Sequence, residues 1–177
     1  GLSIGDYNAD GLLDIYITSI LDNRLYENQG DRTFIDRAQE FGVRNGEWGW
    51  GTSFFDMEND RDLDIIMTNG FYQSENPPEG NLVFTVDRMR LWENIDGEFN
   101  ESAVTYGVED IRMGKGLLTF DYDRDGDLDV FVVNNGDKAI LYRNDLIHSN
   151  NWIQFQLQGT RSNRQGIGAK VWLTANQ

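Results

Sequence analysis

The sequence predicts an all-β chain of β-propeller blades, three four-stranded repeats that form part of a larger ring. Three observations carry this. The segments GLSIGDYNADGLLDIYI, GTSFFDMENDRDLDIIM and GLLTFDYDRDGDLDVFV align without a gap, their first acidic residues at Asp6, Asp56 and Asp121, offset by 50 and 65 residues. A second word follows each of them: LYEN from Leu25, LWEN from Leu91 and LYRN from Leu141. Helical periodicity is scarce, the best stretch, FIDRAQEFGV, being short and closed by Gly42. Four-stranded units near a 50-residue period are the signature of propeller blades.

Within each unit the first strand is a stretch such as Gly51 to Phe55, and an acidic loop turns it into an apolar, β-branched second strand, IYITSI, IIMTNG or VFVVNN. The L-x-x-N word supplies the third strand. A phenylalanine after an Asp-Gly or Gly-Asp turn opens the fourth in the first two units, which then run on to FGV or YGV. Blade 1 is expected over 1–47, blade 2 over 48–113 and blade 3 over 114–150, with 151–177 as a separate tail whose first strand completes blade 3. The longer second period reflects an insertion at 71–85, FYQSENPPEGNLVFT, which holds both prolines. Three blades do not close a ring of about four to eight. The sequence therefore reads as a piece of a longer polypeptide, or as one whose sheet ring is completed by other copies through its incomplete edges.

Composition narrows the function classes. The formal charge is −15, with 30 acidic and 15 basic residues, which opposes binding to nucleic acid or anionic membrane. No apolar run is long enough to span a bilayer and no leader is visible at GLSIGDYN, so membrane insertion is not expected. Cysteine is absent and His148 is the single histidine. That removes disulfides and thiolate chemistry, and argues against multi-imidazole zinc and a Ser-His-Asp triad. His148 itself reads as a surface loop residue.

The acidic loops carry the chemistry. Counted from the first acid, positions 1, 3, 5 and 9 are Asp6, Asn8, Asp10 and Asp14; Asp56, Glu58, Asp60 and Asp64; and Asp121, Asp123, Asp125 and Asp129. Hard cations take six to eight oxygens, and alternate oxygen side chains with a backbone carbonyl at position 7 can wrap one calcium ion. The carbonyls would come from Leu12, Asp62 and Asp127. The loop bends at position 6, which is Gly11 and Gly126 but Arg61 in the second loop. Carboxylates about 5 Å apart repel by roughly 3 kcal/mol at an effective dielectric near 20, so a wrapped loop calls for a cation. A solvated turn is the alternative, and its threefold recurrence speaks against it. Position 12 is Ile17, Met67 or Val132, where an EF-hand needs glutamate. Position 8 is leucine throughout, which would pin the loop to the core.

The pattern F-D-x-D-x-D-G-x-x-D before an apolar strand, followed by L-Y-x-N, resembles the FG-GAP/VCBS repeat of integrin α-subunit propellers and many secreted bacterial proteins. The tail, with W-I-x-x-x-L-x-G and S-N-R-x-x-I-G-A-K-V, is similar to the start of the ASPIC/UnbV segment that follows such repeats. The resemblance implies about seven blades, up to three calcium ions in the loops of this chain and an extracellular, cell-surface or periplasmic setting. The departures are Glu58 and Arg61 in the second loop, and a tail that stops short of the rest of its segment.

Other features are weaker. The five tryptophans, Trp48, Trp50, Trp92, Trp152 and Trp172, read as packing between blades ahead of a sugar-stacking surface. GIGAK lacks a full phosphate-loop spacing. Arg161, Arg164 and Lys170 read as a solvated turn, and Asn100-Glu101-Ser102 fits a glycosylation sequon. No nucleophile with a base stands out, so the expectation is no enzyme but a module with a structural, adhesion or ligand-binding role toward a protein or glycan. The alternatives are a scaffold within a secreted polysaccharide-active enzyme, its site in the central channel or in the insertion, or a subunit of a surface filament or layer.

Overall fold

A computed structural model describes residues 1–71, 87–161 and 163–174. From residue 72 onward the expected insertion lies outside them. The described residues are all-β apart from one helical turn, and their strands form three antiparallel sheets.

The first sheet is β1 (Leu2–Gly5), β2 (Asp14–Ile17), β4 (Arg24–Asn28) and β5 (Phe34–Asp36), in that order, after β3 (Ile20–Asp22) has left it for the next sheet. The second sheet runs β3, β6 (Asn45–Phe55), β7 (Asp64–Asn69), β8 (Arg90–Ile95) and β9 (Glu98–Glu101). Strand β6 begins at Asn45 and its first residues pair with β3, so the joint between the first two blades is a shared strand rather than a break at 47/48. After the turn α1 (Ala103–Tyr106), closed by Gly107 in the left-handed region, come β10 (Gly114–Phe120), β11 (Asp129–Asn134) and β12 (Ile140–Tyr142) as the third sheet. Residues 151–161 belong to no strand.

Alternation explains how one strand serves two cores. In β7, buried along its whole length, Ile65 and Met67 face a core shared with the first sheet, where they meet Tyr16, Leu25 and Trp92. Ile66 faces the opposite way, into a core with Val130 and Val132 of the third sheet. The cores thus lie between sheets, as packed propeller-like blades require. Close approach of the first strands needs glycine: a Cβ on Gly51 would lie 2.8 Å from the Leu117 nitrogen. The outward faces stay open, with Leu2 and Ile4 on the first sheet, and Leu118 and Phe120 on the third, all exposed.

Two expectations shift. Leu63 and Leu128 pack against the inter-sheet cores, but Leu13 is 56% exposed, because no sheet among the described residues lies on its side of the first blade. Trp92 is buried between sheets, whereas Trp152 and Trp172 are exposed. Trp48 stacks on Phe71 at 4.1 Å, and the Lys115 ammonium sits 3.4 Å above the Trp50 ring.

Replacing Ile66 with Ala should lower unfolding free energy by about 2–5 kcal/mol in urea denaturation. Leu118→Ala, on the open face, should change it by less than about 0.5 kcal/mol.

Candidate functional site

Each acidic loop joins the first two strands of a sheet, and its ninth residue is the first paired residue of the second strand: Asp14 opposite Gly5, Asp64 opposite Phe55, Asp129 opposite Phe120. All three carboxylates are buried and make the same two bonds. One oxygen accepts from the backbone N–H of position 2, at 3.3 Å from Tyr7, 2.8 Å from Met57 and 2.8 Å from Tyr122. The other accepts from the asparagine N–H of the second word, at 2.8 Å from Asn28, 2.8 Å from Asn94 and 2.9 Å from Asn144. A carboxylate held between two backbone donors fixes the loop against the third strand.

The remaining loop carboxylates organise the turn. Position 1 accepts from two loop N–H groups: Asp6 from Asp10 and Gly11, Asp56 from Asp60 and Arg61, Asp121 from Arg124 and Gly126. Position 5 accepts from the N–H of position 7, as Asp10 does from Leu12, Asp60 from Asp62 and Asp125 from Asp127. Asn8 accepts from the Asp10 N–H at 3.2 Å. Positions 4 and 6 are left-handed in every loop: Ala9 and Gly11, Asn59 and Arg61, Arg124 and Gly126. Arg61 therefore holds at φ 84° the conformation that its siblings assign to glycine.

The side chains at position 7 do other work. Asp62 accepts from the Asp96 N–H in the turn between β8 and β9, at 3.2 Å. Asp127 accepts from the Asn59 amide of the second loop at 2.7 Å and lies 3.2 Å from the His148 Nε2, so the lone histidine anchors the tail rather than lying free in a surface loop. The Asn150 amide donates to the Glu58 carbonyl at 3.0 Å, and the Trp152 indole lies where a side chain on Gly126 would project.

Two observations test whether the loops fit a divalent cation. Carboxylate oxygens of Asp121, Asp123 and Asp129 all lie within 4.8 Å of one another, the only such trio among the described residues. Oxygens bound to one calcium at about 2.4 Å can stand no farther apart than about 4.8 Å, so this trio fits. In the second loop the Glu58 Oε2 is buried without a hydrogen-bond partner. Burial first, then Asp60 and Glu93, push Glu58 up to about 7, and burial, with Glu58 opposing its charge, pushes Asp64 up to about 8. Burial likewise raises Asp14 and Asp56. These are carboxylates short of positive charge, which a bound cation supplies. Their N–H bonds leave lone pairs free for it.

The asparagine of the second word was not among the expected site residues. Beyond its backbone bond to position 9, its amide reaches the preceding blade: Asn94 donates to the Tyr7 carbonyl at 3.3 Å and Asn144 to the Met57 carbonyl at 2.7 Å. The constant Asn in LYEN, LWEN and LYRN was the available signal.

Residues 6–67 match the FG-GAP-like repeat. Cartilage acidic protein 1 of Homo sapiens is 29% identical over 182 aligned residues, which take in 98% of this chain and 26% of that protein. The chain thus spans about a quarter of the length of this relative. No helix among the described residues is long and apolar enough to cross a membrane.

Arg61→Gly should stabilise the protein by about 1 kcal/mol in urea denaturation by removing a side chain from the left-handed region. With chelator present, the raised values of Glu58 and Asp64 mean that the folded state binds protons more tightly than the unfolded one. Their contribution is complete below the ordinary carboxylate range and is lost as pH rises through about 7 to 8. Metal-free protein should accordingly be more stable to urea at mildly acidic than at mildly basic pH, with the difference reduced in Asp64→Asn.

Proposed function

We propose that this chain, of which residues 6–67 match the FG-GAP-like repeat, is an extracellular, calcium-ordered, non-catalytic repeat module that presents a rigid blade surface to a protein or glycan ligand. The observation that carries the reading is the convergence of Asp121, Asp123 and Asp129 in a loop whose bonding plan recurs in all three blades. Asp121, Asp123, Asp125, Asp129 and the Asp127 carbonyl would hold the ion in the third loop. Asp6, Asn8, Asp10, Asp14 and the Leu12 carbonyl would do so in the first, and Asp56, Glu58, Asp60, Asp64 and the Asp62 carbonyl in the second. Calcium would supply positive charge where the loop carboxylates otherwise repel one another.

The chain's own residues do the rest. Position 1 folds the loop over itself, position 9 clamps it to the third strand, and the asparagine of the second word ties it to the neighbouring blade. A cation held there would stiffen the joint between blades, which suits a scaffold that displays a surface. Extracellular modules bind calcium at about 0.1 to 1 mM, which matches millimolar calcium outside cells and supports an extracellular setting. The similarity to an acidic cartilage protein agrees with that setting.

Thermal melting in calcium, in magnesium and in chelator tests the reading. At 100 times the dissociation constant, each site should add about 2.7 kcal/mol, or roughly 5–10 °C for a chain of this size. Asp123→Asn should remove one site's share of the rise. Equal stabilisation by magnesium, or no rise in calcium, would count against calcium as the ligand.

A further inference from the structure

The two inter-sheet cores are built largely from equivalent residues, and one difference leaves a gap. Between the first and second sheets, Phe99 at the head of β9 fills the groove, its ring 5.9 Å from Tyr7 and 6.1 Å from Phe41. Leu63 and Trp92 pack in the same cluster. Between the second and third sheets the counterparts are Met57 for Tyr7, Tyr106 for Phe41, Leu128 for Leu63 and Tyr142 for Trp92. The third unit has no turn-plus-phenylalanine word, and in place of the Phe99 ring only the smaller Leu146 packs against the core. In that place lies a cavity of about 250 Å³, lined by Met57, Tyr106, Leu128, Tyr142, Asn144 and other residues of the joint. An apolar cavity of roughly 150 Å³ already admits a benzene ring.

Directly beside it the third sheet ends on β12, whose outer edge carries no strand among the described residues. The tail supplies a segment of matching chemistry. In Trp152-Ile153-Gln154-Phe155-Gln156-Leu157 apolar and amide side chains alternate, the pattern of a half-buried strand, yet Ile153, Phe155 and Leu157 are all exposed. We propose that residues 152–157 pair with 142–147, the end of β12 and its continuation, as a fourth strand, with Phe155 opposite Asn144, as Phe99 stands opposite Asn94, and its ring in the cavity. Gln154 and Gln156 then face outward. The residues between these two segments form the hairpin connection, and the structure shows the segment open, with Trp152 over Gly126. Closure covers both a free sheet edge and an open core.

Hydrogen exchange on the full chain tests this without reference to calcium. The amides of 153–157 and of 142–147 should exchange at least about 100-fold slower than in an unstructured chain, independently of protein concentration. Phe155→Ser, which touches no core in the open form and so leaves the three sheets folded, should abolish that protection in the tail and weaken it in 142–147. Tail amides exchanging at unprotected rates would overturn the proposal. So would protection that appears only as concentration rises, since the seat would then belong to a second copy, or protection that survives Phe155→Ser.

Discussion

Everything in this architecture hangs on a carboxylate taken out of water at the mouth of each second strand. Asp14, Asp64 and Asp129 are buried, and burial of an ionised group is tolerated only where strong donors compensate. The compensation is two backbone N–H groups, one from the loop just traversed and one from the third strand. A single side chain thereby fixes the loop's shape, the register of the hairpin and the position of the next strand. Wherever burial outweighs those two donors, as at Asp64, the residue sits in the wrong protonation range for neutral pH. A loop short of positive charge is the electrostatic consequence of that structural choice.

The same brace extends from blade to blade. The peptide at position 2 is held through its N–H by its own aspartate and, at Tyr7 and Met57, through its carbonyl by the asparagine of the following unit. The bond lies beside the apolar core between sheets, so packing and polar recognition report on the same alignment. Order in a loop is transmitted to the joint through rigid backbone contacts.

Much of this was legible in the residues themselves. The three repeats, the first three strands of each and the register of the acid positions could be read because the spacing is gap-free and the strands alternate or run apolar. What escaped had physical reasons. Pairing of Ile20–Asp22 with the strand of the next unit depends on a contact between repeats that no local pattern encodes. The role of Asn94 and Asn144 was hidden because an asparagine at the end of a strand reads first as a turn residue. Arg61 looked like a break in the loop, and instead adopts the backbone of its glycine counterparts. The tail's strand-like alternation was visible, while its open placement across the second and third loops was not.

The asparagine bridge also gives the array a grammar of growth. Each unit carries both halves of the joint: an acceptor carbonyl at position 2 and a donor amide at the end of its second word. A tandem duplication of one unit would bring a socket and a plug together, and would mate with both neighbours without any compensating change elsewhere. Because the bond always points from a unit to the one before it, such copies can join in one orientation only, which makes lengthening by gene duplication easy and inversion prohibitive.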